Sequence, residues 1–300
     1  MLVNEFSWSK SRDDIFRQCA LRYYYHYYGS WNGWNARAEA RTRELYTLKK
    51  LQTRQMWMGT CVHEIIEQTL KNIRGRGLVA HFPAAKQILL NRMRQDFAQS
   101  RAQAYRERKA CALFEHEYGL DVPDEEWKRI ADSAVVCLEN FFGSELFKIA
   151  EQLKDDQWLE IEEFSHFYLE GTKVHVVLDF SYRTPEGIRL VDWKTGSSET
   201  NSNQLQLACY RLYATEKWQV SPEQVEAIEY RLLKNELVHH HLTGLDLKAA
   251  LEKITDSIRA MRERLDNPEA NQATEDHFPP TEERSRCFQC NFKKACRAWM

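Results

Sequence analysis

Val174-His175-Val176-Val177-Leu178-Asp179-Phe180 and Leu190-Val191-Asp192-Trp193-Lys194-Thr195-Gly196 are two apolar, β-branched runs, with Pro185 and Gly187 between them. Such runs flanking a Pro/Gly turn predict a β-hairpin. With Thr184 to Gly187 as a four-residue loop, Arg183 faces Ile188, and the same register sets Asp179 opposite Asp192. Lys194, two residues beyond Asp192, shares its face because strand side chains alternate. Opposed Cβ atoms lie about 4.5–5.5 Å apart. Two carboxylates that close repel each other unless a cation lies between them, and a hard divalent ion with oxygen ligands meets that need. A lysine beside such an ion orients a water or stabilises charge on a reacting phosphate. A slip of one residue would send the aspartates to opposite faces. A solvent-facing Asp, Asp, Lys set is the bland alternative. Against it, both aspartates follow apolar runs with no arginine adjoining them, and charges are rarely buried without a partner.

The chain has 300 residues, 43% of them hydrophobic, enough for a sizeable core. It holds no apolar stretch near the ~18 residues of a membrane span. Its N-terminus carries charged and aromatic residues where a signal peptide would be apolar. A soluble cytoplasmic protein is expected. In that compartment eight cysteines argue for free thiols, metal or a cluster rather than a disulfide framework. The net charge of −2 does not announce a nucleic-acid binder. Basic residues do crowd around Arg37 to Arg54, Arg92 to Lys109 and Arg284 to Arg297. Each cluster alone reads as a solvated helix face, and they form a binding groove only if they converge in space.

Helical spacing dominates the first half. Helices are predicted from a Ser9 or Ser11 cap to about Tyr28, over Trp57–Ile73, from Pro83 to about Arg108, and from Pro123 to about Phe142. Strands follow over Trp158–Leu169, Thr172–Tyr182 and Ile188–Trp193. A helix fits Asn203–Lys217, a strand pair Val225–Leu233 and Glu236–Leu242, and a last helix Leu247–Leu265. The Pro-containing stretch Asp266–Arg286 reads as loop. The pattern is a mixed α/β core with a large helical part ahead of it, arranged as one domain over 1–300 with a helical region at 75–150 and a core at 155–265.

Cys287-Phe288-Gln289-Cys290 followed by Cys296 is a strong ligand signal that lacks a fourth thiolate. Cys137 and Cys209, at helical spacing among apolar residues, read as buried thiols, and Cys61 and Cys111 also fall in predicted helices. Cys19, between Phe16 and Tyr23-Tyr24-Tyr25, is the candidate fourth. Spacing alone leaves zinc, an iron–sulfur cluster, or no metal open. A metal here would tie the first helix to the last turn of the chain and contribute strongly to folding, since little else is expected to join the ends. His239-His240-His241 alternate faces on a predicted strand and cannot chelate together. The aromatics Tyr23 to Tyr28, Trp31 and Trp34 fit a core around a helix better than a base-stacking surface.

Taken in order, these motifs resemble the PD-(D/E)XK nuclease superfamily, in its RecB-like branch with an iron–sulfur cluster, which includes AddB-type nuclease domains and CRISPR-associated exonucleases. Phe6-Ser7-Trp8-Ser9 with Phe16 and Cys19 resembles the N-terminal cysteine motif, and Gly59-Thr60-Cys61-Val62-His63 the G-x-x-x-H motif. Asp179 and Asp192-Trp193-Lys194 resemble the catalytic hairpin, Gln206-Leu207-Ala208-Cys209-Tyr210 the Q-x-x-x-Y motif, and Cys287, Cys290 and Cys296 the C-terminal cysteines. Where many relatives have glycine three residues before the first aspartate, this chain has Val176.

The resemblance implies a restriction-endonuclease-like mixed central sheet flanked by helices. It implies a metal-dependent nuclease acting on single-stranded or end-bearing DNA. His63, Asp179, Asp192 and the Trp193 carbonyl would bind Mg²⁺ or Mn²⁺. Lys194 would position the attacking water, and Gln206 and Tyr210 would orient Lys194 or touch the strand. Glu162 or Glu163 would be an extra acidic group. Cys19, Cys287, Cys290 and Cys296 would hold a [4Fe–4S] cluster, with zinc the lesser alternative, in a module of residues 1–30 and 280–300. No G-x-x-x-x-G-K-[ST] motif is present, so unwinding would need a separate helicase or complex subunit. The rival expectation is a non-cleaving, nuclease-like DNA-binding subunit of a helicase or a defence or repair complex. A redox-sensing iron–sulfur protein would leave the hairpin unexplained.

Overall fold

The computed structural model describes residues 3–78, 81–196 and 203–299. Its regular elements are α1 (Lys10–Gln18), α2 (Ala20–Tyr24), α3 (Ala40–Leu48), α4 (Arg54–Arg76), α5 (Phe82–Arg101), α6 (Phe114–Glu117), α7 (Asp124–Gly143) and α8 (Glu145–Gln152). They continue with β1 (Glu163–Leu169), β2 (Thr172–Leu178), β3 (Phe180–Thr184), β4 (Gly187–Lys194), α9 (Asn203–Trp218), β5 (Val225–Arg231), β6 (Glu236–His240) and α10 (Gly244–Arg262). The fold is mixed α/β, consistent with a restriction-endonuclease-like architecture. None of the described helices is long and apolar enough to cross a membrane. The chain divides into two compact units, Gln52–Phe167 with Val176–Leu247, and Met1–Leu51 with Tyr168–His175 and Lys248–Met300.

In the unit of residues 52–167 and 176–247 the sheet order is β3-β4-β5-β6. The predicted hairpin is β3–β4. Its register is the expected one, with Phe180 facing Val191 and Arg183 facing Ile188. The loop is shorter than expected, because Thr184 also pairs with Gly187. Gly187 has φ 150°, and a Cβ there would lie 2.0 Å from the Gln224 carbonyl oxygen, so only glycine fits. The strand expected over Thr172–Tyr182 is broken at Asp179. β2 pairs with β1 in a separate two-stranded sheet, while β3 pairs with β4. The expected backbone pair of Asp179 and Asp192 is therefore not formed: the ladder begins at Phe180, and Asp179 is the bend before it, between β2 and β3. β4 and β5 are parallel, with Asp192 beside Glu229 and Lys194 beside Arg231. Parallel neighbours need a crossover element, and α9 supplies it.

The strand expected from Trp158 starts at Glu163 instead, after an irregular stretch that hydrogen-bonds to β3 through Leu159 N to Ser181 O (3.1 Å) and Ser181 N to Glu160 O (2.9 Å). α4 is capped by Thr53, whose hydroxyl accepts from Met56 N, and ends at Gly77 with φ 60°. It packs on α5, α7 and α8. Val62, Ile66, Leu70, Leu138, Phe141, Phe180 and Trp193 are buried in one core. Phe141 meets Trp193 edge to face at 5.6 Å.

In the other unit the helix expected through Tyr28 is interrupted. Ser9 caps α1 through Arg12 N, Cys19 is extended at φ −168°, and α2 then begins with the Cys19 sulfur accepting from Arg22 N. Trp8 pairs its backbone with β2 and donates its indole N–H to Ser257 (3.0 Å). Ser257 in turn donates to buried Asp13, which also binds Arg17 (2.8 Å). Tyr23 and Tyr25 are buried against Phe278 and Phe292, which makes these two of the run core, while Tyr24, Tyr27 and Tyr28 are half-buried.

Phe141→Ala should cost about 3–5 kcal/mol, the usual range for deleting a buried aromatic, read as a lower urea midpoint with an unchanged m-value.

Candidate metal centre and active site

Four segments of the same unit bring charged groups together: α4, the bend before β1, the bend after β2, and the end of β4. Gly59 and His63 lie one turn apart on one face of α4. A Cβ at Gly59 would lie 2.9 Å from the Thr195 hydroxyl, so the glycine lets α4 approach the chain just past β4. One turn on, His63 reaches over. Its Nε2 lies 3.2 Å from the Trp193 carbonyl oxygen. Its Nδ1 lies 3.0 Å from Glu162 Oε1 and 3.8 Å from Asp179 Oδ1. Asp179 Oδ2 accepts the Trp193 N–H at 2.7 Å, closing the β3–β4 ladder where backbone pairing ends.

His63, Glu162 and Asp179 each offer a ligand atom within 4.8 Å of the others, and among the described residues they are the only such His/Cys/Asp/Glu group. An imidazole nitrogen with carboxylate and carbonyl oxygens suits a divalent cation, so the donor set fits the ion. Of the two acidic candidates ahead of β1, the structure places Glu162 here, in the left-handed region at φ 52°, with its N–H held by the Leu178 carbonyl at 2.8 Å. Glu163 is half-exposed and lies 3.8 Å from Arg74. Nothing in the sequence distinguished these adjacent glutamates. The backbone turn that aims one inward depends on β1–β2 pairing, which a local reading does not contain.

Asp192 lies next to this group rather than in it. Its carboxylate meets the Lys194 ammonium at 2.6 Å and accepts from Gln206 Nε2 at 3.2 Å. Gln206 also reaches Tyr210 OH at 2.5 Å and accepts from Lys194 at 3.4 Å. Gln206 and Tyr210 are one turn apart on α9. Glu229, on the adjacent strand, is a buried acid that the sequence reading missed, and its contribution to the field on Asp192 and Lys194 follows from the parallel β4–β5 register.

Electrostatics sort these groups. Burial pushes the Asp179 carboxyl up to about 8, with His63 opposing the shift and the Asp192 and Glu162 charges adding to it. Burial would lower His63, but Asp179 and Glu162 outweigh it and hold the imidazole up at about 9. Both ring nitrogens face oxygen atoms, Glu162 Oε1 on one side and the Trp193 carbonyl on the other. Burial opposes the charge on Lys194 too, yet Asp192 raises its pKa. Lys194 is an ammonium, a donor rather than a base.

Cys19, Cys287, Cys290 and Cys296 line one pocket with Arg22 and Lys293 in the other unit. Burial pushes the Cys290 thiol up to about 11. No three of these sulfurs come within 4.8 Å of one another, whereas tetrahedral zinc at about 2.3 Å per bond gathers four sulfurs closer than that. The expectation that little else joins the ends is corrected here. Leu21 N donates to Pro279 O (3.1 Å), Tyr25 OH to Glu275 (2.7 Å) and Asn291 Nδ2 to Leu51 O (2.8 Å). Cys137 and Cys209 are buried. His239 pairs with Glu226 at 2.6 Å and His240 lies 3.8 Å from Glu229, so the histidine run splits between partners.

A partly buried acidic group around a histidine, at the end of a mixed sheet with a lysine beside it, is an arrangement suited to metal-assisted hydrolysis. The sequence model of the PD-(D/E)XK nuclease superfamily matches residues 7–297, and the chain belongs to that superfamily. No curated protein matches it.

Mn²⁺ should raise the melting temperature, by a free energy of about 2.7 kcal/mol at a hundredfold excess over Kd. Glu162→Gln should remove most of that gain and Glu163→Gln should leave it intact. Equal loss in both variants would place the ion elsewhere.

Proposed function

We propose that the chain is a Mg²⁺- or Mn²⁺-dependent deoxyribonuclease that hydrolyses phosphodiester bonds of single-stranded or end-bearing DNA. Membership of the superfamily supports nuclease chemistry. The observation that carries the site is the convergence of His63, Glu162, Asp179 and the Trp193 carbonyl, with Asp192 and Lys194 beside them. His63, Glu162, Asp179 and the Trp193 carbonyl would hold the ion, which would neutralise the scissile phosphate and lower the pKa of a bound water. Asp179 and Glu162 supply the negative charge that draws the ion in. His63, its ring placed between Glu162 and the Trp193 carbonyl, would offer a neutral imidazole nitrogen to the ion. Lys194, held protonated by Asp192, donates hydrogen bonds to the attacking water or to the developing charge on phosphorus-bound oxygen. Gln206 and Tyr210 fix the Asp192 and Lys194 rotamers. Burial and the Asp192 charge push the Tyr210 phenol well up, which keeps it neutral.

Asp192→Asn and Lys194→Ala should each lower cleavage of labelled DNA at least about 100-fold, the scale of losing one transition-state donor, with the melting temperature kept within a few degrees. Wild-type cleavage rates in purified Asp192→Asn protein would refute this site.

We further infer that Cys19, Cys287, Cys290 and Cys296 hold a [4Fe–4S] cluster, as in the RecB-like branch, and that a separate helicase or other complex subunit supplies any unwinding. The shared cysteine pocket supports the cluster. Anaerobically purified protein should contain iron and sulfide, and Cys287→Ser should lose both. A colourless protein with stoichiometric zinc would reverse the assignment.

A further inference from the structure

A second cavity, in the same unit as the metal group, lies between β1 and the C-terminal half of α9. Phe164 and His166 of β1 and Tyr213, Glu216 and Lys217 of α9 line about 380 Å³, within the size range of small-ligand sites. β1 alternates, burying Phe167 and exposing Phe164 and His166. Phe164 is 74% exposed, so part of its ring is open to solvent at the mouth of the cavity. The wall behind it is built rather than incidental. Glu160 is buried and accepts from Tyr213 OH (2.5 Å), Lys217 Nζ (2.5 Å) and Ser165 Oγ (3.3 Å), which fixes both elements.

Two elements join this cavity to the metal group. Phe164 follows Glu162 by two residues. On α9, Gln206, Tyr210, Tyr213 and Lys217 recur at steps of four, three and four, which is one helix stripe, and it runs about 16 Å along the axis. The charge pattern decides what fits. Lys217 is already neutralised by Glu160, and the exposed Glu216 stands beside it, so an anion gains little here. A neutral planar ring with donors and acceptors on its edge is favoured.

We propose that this cavity holds one unpaired nucleobase of the strand whose phosphodiester lies at the metal group, its face on Phe164 and its polar edge toward Glu216 and Lys217. The assignment rests on the nuclease reading above. A paired base has both faces covered by its neighbours and its edge taken up, so the cavity selects single-stranded or frayed ends.

The test compares binding of a fluorescent oligothymidylate with that of an abasic strand of equal length, both measured in a Lys194→Ala background to prevent cleavage. That chain should prefer the strand with bases, and adding Phe164→Ala should cut the preference about 5- to 100-fold, the scale of one base–aromatic stack. Affinity for the abasic strand should stay unchanged, which also shows that the variant is folded, and Phe164→Trp should restore the preference. If Phe164→Ala keeps the full preference, the base subsite is wrong while the nuclease reading stands. If the wild-type chain binds neither strand and does not hydrolyse bis(4-nitrophenyl) phosphate with Mn²⁺, the nuclease reading fails and takes the subsite with it.

Discussion

Asp179 is buried where β2 and β3 part company, and its carboxylate accepts the Trp193 N–H at 2.7 Å. That bond completes the β3–β4 ladder with a side chain in place of a backbone group, so the bend cannot be relaxed without leaving a buried N–H unpaired. The other carboxylate oxygen is thereby turned toward His63 and Glu162. A buried negative charge of this kind is costly unless a cation answers it. Here the His63 ring answers it, with Nδ1 3.8 Å from Asp179 Oδ1. α4 must come close enough to deliver that ring, which is why a glycine stands one turn before the histidine. One buried acid therefore sets the strand break, the helix approach and the affinity of the pocket for positive charge.

The hairpin register was legible because the apolar runs and the Pro/Gly turn are local signals. Phe180 does face Val191. The Asp179–Asp192 pairing inferred from it failed for a reason outside the hairpin: β2 is claimed by β1, and the chain must bend to serve two sheets. The same non-local constraint selects Glu162 over Glu163. Glu229 was missed because its closeness to Asp192 and Lys194 arises only when β4 and β5 align in parallel across α9, a contact between segments far apart in the sequence. Helix ends set by caps, such as Thr53 and Gly77, are readable in principle, whereas the interruption at Cys19 follows from its extended backbone between two short helices.

The thiol pocket shows a different division of labour. The chain ends around it are joined by aromatic packing and by hydrogen bonds such as Tyr25 to Glu275. Metal is then not needed to bring the ends together, and binding energy there goes into fixing the loop that carries Cys287 and Cys290.

Lys194 and Asp192 complete the argument about chemistry. A lysine serves as a base only when its surroundings strip its proton, which burial alone would favour. Here Asp192 stands 2.6 Å away and reverses the effect of burial, so the proton stays. The residue can then only donate. The proton of an attacking water would then pass to a group other than Lys194, such as solvent, and a divalent ion held by the neighbouring residues would ease that loss by lowering the water's pKa. A lysine fixed as a donor beside a cation-seeking acidic pocket is coherent as a pair, because each lacks what the other supplies.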